Sequence, residues 1–326
     1  MTEINKNQNT LIISGPTASG KTSLSLQLAS FFDGEIINAD MGQFYEPFEI
    51  GTAKPDWKNE KIPHHLFDII TTPENLTVCK YRELVLDKIF EVQKRGKLPI
   101  IVGGSLFYLK TLFFPPSPIN QESSDLNELP IDENLTPWEF LNKIDPVRAQ
   151  ELHSNDLYRI NRAIKIWQTT KMQPSKLKPK PDLQFNAFIL FLNPPKEVLE
   201  KNIRIRTQEM IAPINSNKSW IDEVKKIVGT PWEDFLREKK FIGYPELLDW
   251  IGKNDKFLEK DIDFLIENIV IKTRQYAKRQ ITFWKKLKKE LKSDFLQMHF
   301  RVELFEVEDS SKFEDVSNKI NFFYKK

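Results

Sequence analysis

Short apolar runs alternate with amphipathic segments along the first half of the chain. Leu11–Ser14 is an apolar run that passes directly into a glycine-rich turn, Gly15–Gly20. Lys21–Phe32 follows, with Leu24, Leu28, Phe31 and Phe32 at helical spacing. Apolar positions three and four apart share one helix face, so this stretch reads as strand, turn and helix. Glu35–Ala39 is a second apolar segment, closed by Asp40. Tyr81–Lys94 places Leu84, Val85, Ile89 and Val92 on one side of a helix. Leu98–Val102 is a continuous apolar run ending in Gly103-Gly104, and Asn186–Leu192 is another. Apolar strands alternating with helices indicate a parallel sheet in an α/β fold.

Residues 115–182 differ in character. Proline-rich Phe114–Pro118 and Gln173–Pro181 bracket two helical patterns, Trp138–Ile144 and Asp156–Gln168. Prolines cannot continue regular elements. We read 115–182 as a helical insertion in an α/β core made of 1–114 and 183–326; one continuous domain with irregular loops is the alternative. Leu199–Met210 and Ile262–Leu291 read as further helices.

Composition narrows the classes. With 40% hydrophobic and 29% charged residues over 326 positions, the chain is ordinary globular material with room for two domains. Long disorder, collagen-like repeats and a disulfide scaffold are excluded. A single cysteine, Cys79, has no internal partner, which fits a reducing compartment. The polar N-terminus shows no signal-peptide core and no apolar run is long enough to span a bilayer, so a cytoplasmic location is expected.

The net charge of +2 argues at first against a nucleic-acid partner. That sum hides a sorting. Residues 272–292 hold nine basic side chains and one acid, a local charge of +8 that leaves the remaining chain at −6. On a helical wheel Arg274, Lys278, Lys285, Lys289 and Lys292 share one face, and Ile269, Thr273, Tyr276, Gln280, Trp284, Leu287 and Leu291 share the opposite one. A one-sided basic stripe suits a polyanion, although a solvated lysine-rich helix has the same pattern. Arg159, Arg162 and Lys165 add a second basic face in the insertion.

The most specific motif is Gly15-Pro16-Thr17-Ala18-Ser19-Gly20-Lys21-Thr22, a full match to G-x-x-x-x-G-K-[ST]. Its glycines let the backbone wrap an anion with inward N–H groups. Lys21 adds a cation for phosphate oxygens, and the Thr22 hydroxyl can ligate Mg²⁺. A hydrolytic phosphate-loop protein carries an acid after a later strand to organise metal and water. Here Leu98–Val102 ends in Gly103-Gly104-Ser105, and the acid, Asp40, follows the second strand instead. Strand carboxyl ends face the ligand crevice, which makes Asp40 a candidate base beside the phosphates; a helix cap is the alternative. This arrangement favours group transfer over hydrolysis. Small-molecule phosphorylation, transfer to free adenylate and non-catalytic RNA binding are the competing functions, and the basic helix discriminates against a mononucleotide acceptor. His64 and His65 lack metal-ligand spacing and are expected to be structural, as is Cys79.

Eight ordered blocks carry a family resemblance: GPTASGKT (15–22), IINAD with Gln43 and Tyr45 (36–45), IGTAKP (50–55), PHHLFDI (63–69), LPIIVGG (98–104), NDLYRINRAI (155–164), FIGYPELL (241–248) and TRQYAKRQITFW (273–284). Together they resemble the bacterial tRNA dimethylallyltransferases over nearly the whole chain. The resemblance implies a phosphate-loop α/β core with a helical insertion that embraces the anticodon stem-loop. It also implies transfer of a dimethylallyl group from dimethylallyl diphosphate to N6 of adenosine 37.

Roles are implied by position. Ser14–Thr22, chiefly Lys21 with Thr22, would bind the diphosphate and Mg²⁺, joined by Arg206. Asp40 would take the amine proton, with Lys21 and Ser105 as its catalytic partners. Met41, Gly42 and Gln43 would meet the extruded base. Tyr158, Arg159, Ile160, Asn161, Arg162, Arg274, Gln275, Lys278 and Arg279 would contact tRNA. A monomer is expected.

The chain departs from the family pattern in several places. Ser105 stands where a threonine is usual, and Met41-Gly42 replaces a serine-containing pair. Asn202 takes an arginine position, Pro245 follows Tyr244 where arginine is frequent, and Ile211–Trp220 is a longer segment.

Overall fold

The computed structural model describes residues 8–116, 135–177, 179–213, 218–253, 259–294, 300–309 and 312–325. Six strands form one sheet: β1 (Asn9–Ser14), β2 (Gly34–Asn38), β3 (His64–His65), β4 (Leu98–Val102), β5 (Asn186–Leu192) and β6 (Val302–Val307). Their order is β3-β2-β4-β1-β5-β6, and every pairing is parallel. The helices, in chain order, are α1 (Lys21–Phe32), α2 (Val78–Lys94), α3 (Leu106–Phe113), α4 (Pro137–Ile144), α5 (Pro146–Gln150) and α6 (Leu157–Thr170). Then come α7 (Lys196–Ile211), α8 (Trp220–Lys225), α9 (Pro231–Lys239), α10 (Tyr244–Lys253), α11 (Glu259–Asp294) and α12 (Phe313–Lys325).

The central strands are apolar on both faces because both faces are covered. Leu11, Ile13, Ile36, Ile100, Phe188 and Leu190 point to a core closed by α1 and α12. Ile12, Ile37, Ile101, Ile189 and Phe191 point the other way, to a larger core closed by α2, α3, α7 and α11. Strand register aligns these rows, since Ile12 lies opposite both Ile101 and Ile189. In the larger core Trp284 of α11 stacks flat on Phe191 of β5, with ring centroids 4.5 Å apart and planes 4° from parallel. That contact fixes the long basic helix to the sheet at β5, next to the edge strand.

The chain leaves this core after Phe113 and returns at Asp182, whose N–H donates to the Phe113 carbonyl at 2.9 Å. Between these points α4, α5 and α6 bury Leu141, Ala149, Ile160, Ala163 and Ile164 as a cluster separate from both sheet cores. Local chemistry starts each helix. Thr136 and Glu139 form a capping box before Pro137, and Asp156 caps α6 through the Arg159 N–H. The fully buried Asp145 accepts the N–H of Arg148 at the start of α5 and the N–H and hydroxyl of Ser175, tying 174–176 to the helices. Residues 117–134 and 178 of the expected insertion lie outside the described residues.

Besides β3, α3 and α5, which the sequence reading does not predict, four features depart from the sequence expectations. β6 and α12 form an additional strand and helix beyond the basic helix, and α8–α10 fill the stretch between Trp220 and Lys253. β6 is an edge strand whose Glu303 and Glu306 are exposed, which masks its apolar alternation. Phe31, expected on the buried side of α1, is 52% exposed, because it faces Phe313 edge-on at the rim of the core. Ile160, expected to touch tRNA, is fully buried in the α4–α6 cluster, because it lies on the apolar side of α6 while Tyr158 and Arg159 lie on its surface.

Candidate functional site

β1 runs into the loop Gly15–Gly20, and α1 begins at Lys21. Ala18 and Gly20 take left-handed φ values of 62° and 87°, which turn the backbone around a hollow. Lys21 Nζ donates to the carbonyls of Gly15 (3.1 Å) and Pro16 (2.7 Å), and the Thr22 hydroxyl lies exposed at the same opening. From above, α7 supplies Arg206 and Asn202; Asn202 Nδ2 donates to the Ala18 carbonyl at 3.3 Å. Burial pushes the Lys21 ammonium down to about 8; Arg206 adds to the shift, and Asp40 opposes it. Arg206 is also held below its ordinary value by burial, again opposed by Asp40. Two cations and one carboxylate therefore converge on the loop. Desolvated cations of this kind gain most from an incoming polyanion.

Asp40 sits where the ends of β2 and β4 meet. Gly103 and Gly104 make that meeting possible. A Cβ on Gly103 would overlap the Ala39 backbone, and one on Gly104 would strike Gln280 and approach Asp40 Oδ2. Ser14 Oγ donates to the Gly103 carbonyl at 2.8 Å. Asp40 N–H donates to Asn38 Oδ1 (2.9 Å), and the Met41 N–H that opens the 3-10 turn Met41–Phe44 donates to Ser105 Oγ (3.0 Å). The Ser105 hydroxyl thus holds the Asp40–Met41 backbone, and Tyr276 lines the same cavity as Ser105. Burial raises the Tyr276 phenol above its usual range, with Asp40 adding to the shift, so it stays a donor. Gln43 spends its amide nitrogen on the carbonyls of Thr52 (3.1 Å) and Ala53 (3.2 Å) and lines the polar compartment.

Two connected hollows share Thr17, Ala18, Asp40, Thr52 and Arg206. The polar one, about 380 Å³, runs along Lys21, Thr22, Gln43, Asn202 and Glu209. The other, about 340 Å³, is mostly apolar and includes Ile203, Met210, Trp220, Phe241, Tyr244 and Ile269. Its rim carries Met41, Gly42, Ser105 and Arg279. The wall around Trp220 is built without slack. A Cβ on Gly51 or Gly243 would overlap the indole, and Tyr244 packs edge-on against it at 5.3 Å. Behind it the buried Glu223 accepts N–H bonds from Glu49 (2.9 Å), Ile50 (2.6 Å) and Gly51 (3.3 Å), and the Tyr244 hydroxyl at 2.7 Å. Burial first, and then the Glu223 charge, push the Tyr244 phenol well above its ordinary value.

The predicted RNA-facing residues divide into two groups. Of the helix residues expected to contact tRNA, Arg279 alone lines the apolar cavity, its guanidinium 5.9 Å from the Tyr276 ring. Lys278, Lys285, Lys289 and Lys292 are exposed along α11, as the wheel predicts; Gln275 is exposed as well, and Arg274 pairs with Glu200 at 2.5 Å. Tyr158, 62% exposed, and Arg159 lie on the surface of α6; Arg159 pairs with Asp156, and Asn161 and Arg162 are half-buried. None of Tyr158–Arg162 lines either hollow.

The other tempting residues are structural. His65 bonds Glu35 at 2.6 Å, His64 meets the Ile62 carbonyl at 2.7 Å, and Arg95 grips Glu35 with two bonds. Among the described residues no cluster of His, Cys, Asp or Glu could hold a metal by itself, and no helix is long and apolar enough to cross a membrane.

Sequence reasoning gives Gln280 and Tyr276 only a place on the packed face of the basic helix, and gives Trp220 and Glu223 no role at the site. Gln280 and Tyr276 lie within the TRQYAKRQ block, and the glycines that seat Trp220 belong to IGTAKP and FIGYPELL. The motifs were visible, but which of their members face the cavity was not.

Fold and cavity define a class: a phosphate-loop α/β protein whose anion cradle opens onto an apolar chamber, with a carboxylate at the junction. Residues 43–287 match the family model described as IPP transferase. The chain is 33% identical over 304 residues to a tRNA dimethylallyltransferase of Acetivibrio thermocellus, covering 86% of this chain and 89% of that one. A tRNA dimethylallyltransferase of Anoxybacillus flavithermus is 36% identical over 287 residues, with 85% and 88% coverage.

Among solved structures, a eukaryotic dimethylallyltransferase acting on tRNA superposes with a TM-score of 0.76 at 27% identity, over 97% of this chain and 78% of that one. The tRNA isopentenylpyrophosphate transferase of Bacillus halodurans gives 0.62 at 27% identity, with 98% and 97% coverage. The chain belongs to the IPP transferase family and is a transferase.

Proposed function

We propose that the chain is a tRNA dimethylallyltransferase: it moves a dimethylallyl group from dimethylallyl diphosphate to N6 of adenosine 37, releasing pyrophosphate. The observation that carries this reading is the position of Asp40, shared by the polar and apolar hollows. A donor with its diphosphate on the loop and its five-carbon tail in the apolar chamber presents its reactive carbon at that junction. An adenine lodged against Met41, Gly42 and Ser105 brings its amine to the same place.

The acceptor must first leave the anticodon stack, at a cost of about a few kcal/mol. Asp40 accepts the N6 proton as the new C–N bond forms and the allylic C–O bond breaks. Lys21, Arg206 and the loop N–H groups stabilise the charge gathering on the departing pyrophosphate. Ser105 keeps the Asp40 turn in place through the Met41 N–H. The hard oxygen donors at the polar opening, Thr22 with the diphosphate oxygens, suit Mg²⁺, which supplies further neutralisation of the leaving group when bound.

The exposed stripe on α11 and the surface of α6 receive the anticodon stem-loop, with residues 115–182 as the embracing domain. The enzyme works as a monomer in the cytoplasm.

The test is mass spectrometry of nucleosides after incubation with dimethylallyl diphosphate, Mg²⁺ and unmodified tRNA. N6-dimethylallyladenosine at position 37 is the expected product. Transfer to free AMP, or phosphoryl transfer from ATP, without modified tRNA overturns the reading.

A further inference from the structure

α11 presents lysines to solvent on one face, and on the opposite face it buries a glutamine between the phosphate loop and the turn beside Asp40. Gln280 is 5% exposed. Its Oε1 accepts the Thr17 N–H of the phosphate loop at 3.0 Å, and its Nε2 donates to the Gly104 carbonyl at 2.8 Å. Thr17 precedes Ala18, the left-handed residue that turns the loop, so this bond governs where the turn begins. Gly104 stands against the carboxylate on the other side: a Cβ there would lie 3.7 Å from Asp40 Oδ2. The two ends of one amide therefore hold the donor cradle and the acceptor turn.

We infer that Gln280 is a positioning residue for the transfer reaction, setting the distance between the diphosphate loop and the Asp40 carboxylate. This rests on the function proposed above.

The chemistry requires this side chain. One bond needs an acceptor and the other a donor, at the reach of a glutamine, and each partner is a main-chain group; the Gly104 carbonyl also accepts the Leu106 N–H at 3.0 Å, so the Thr17 N–H is the partner that depends most on Gln280. Gly104 must lack a Cβ for the amide to approach. The bracket cannot drift, because α11 is pinned on both sides of it. One turn later Trp284 stacks on Phe191 of β5, and one turn earlier Ala277 is buried in the same core. Gln280 does not touch the reacting atoms. It acts by keeping the leaving group and the base in register, where a misplacement of about 1 Å costs on the order of 100-fold in rate.

Gln280→Met tests this, because it keeps the length and approximate volume of the side chain and removes both bonds. We expect the single-turnover rate of dimethylallyl transfer to fall about 10- to 100-fold. The KM for tRNA and the affinity for magnesium pyrophosphate should stay within about threefold of the unsubstituted enzyme, since each substrate keeps its own contacts. Gln280→Glu keeps the acceptor for Thr17 and sets a carboxylate oxygen against the Gly104 carbonyl, so its rate should fall as well. A Gln280→Met rate within about twofold of the parent overturns the inference, as does a parallel loss of rate and both affinities, the mark of general disruption. If the unsubstituted enzyme modifies no tRNA, the proposed function fails and takes this inference with it. Normal transfer by the parent with an unaffected Gln280→Met variant removes this inference alone.

Discussion

Glu223 offers the sharpest test of how the cavity wall is held. Its carboxylate accepts three main-chain N–H groups of residues 49–51 and the hydroxyl of Tyr244. Replacing it with alanine strips all four donors of their acceptor. The N–H groups of 49–51 lie in a partly exposed loop and regain water at a cost of about 1 kcal/mol each. Tyr244 is 1% exposed, so its hydroxyl gains no water and its desolvation adds about 1–3 kcal/mol. The sum is about 4–6 kcal/mol for Glu223→Ala.

Tyr244→Phe in the parent removes one charge-assisted bond, about 1.5–3 kcal/mol. In the Glu223→Ala background the same change removes only an orphaned hydroxyl, and should be neutral or favourable. A double-mutant cycle by urea denaturation should then give an interaction energy of about 2 kcal/mol, read from midpoints with unchanged slopes. Additive costs, to within about 0.5 kcal/mol, would show that the bonds around Glu223 do not act as one unit. A Glu223→Ala cost below about 1 kcal/mol would refute the reasoning outright.

Lys21, with its ammonium pushed down to about 8 by burial, should make magnesium pyrophosphate binding weaken up to about tenfold per pH unit above pH 8. Lys21→Met removes that dependence, so equal pH profiles for the two proteins by isothermal titration would refute the assignment. The same lowered value means the unfolded chain holds more protons between about 8 and its ordinary 10.5, so this residue makes ligand-free stability rise across that window. Asp40→Ala should cut single-turnover transfer by about 100-fold or more while tRNA still binds in a filter assay; turnover near that of the parent removes Asp40 as the base. Reversing Lys278, Lys285 and Lys289 to glutamate should weaken tRNA binding and flatten the log K against log salt line by up to about three, one for each phosphate no longer neutralised; an unchanged slope places the RNA elsewhere.

The fold was legible where local pattern and tertiary environment agree. The strand–loop–helix start, β4 with its glycine pair, β5 and the two insertion helices each combine a long enough apolar signal with a turn or cap at its border. β6 was not legible, because an edge strand needs only one covered flank and its glutamates read as surface. Helices α8–α10 were missed for a related reason. They are short, and what organises them is the cluster of Tyr45, Phe48, Trp232, Phe235, Phe241 and Tyr244, whose rings meet across nearly 200 positions of sequence. Periodicity within a window cannot report such contacts.

The site divides along the same line. The phosphate loop is a local object: its glycines, lysine and threonine act through the backbone they belong to, so a motif of eight residues reveals it. The basic stripe is also local, and a whole-chain charge of +2 obscured it only because the acids are elsewhere. Gln280 and Glu223 are different in kind. Each works on main-chain groups more than 170 positions away, and nothing about a glutamine or a glutamate on a helix announces which peptide it will face. On the helical wheel Gln280 read as one more member of a packed face, yet burying an amide there is tolerable only if both its ends are bonded. A buried glutamine among Trp284, Leu287 and Leu291 is therefore a question the sequence raises: something must satisfy it. In this fold the answer is the phosphate loop on one side and the turn beside Asp40 on the other.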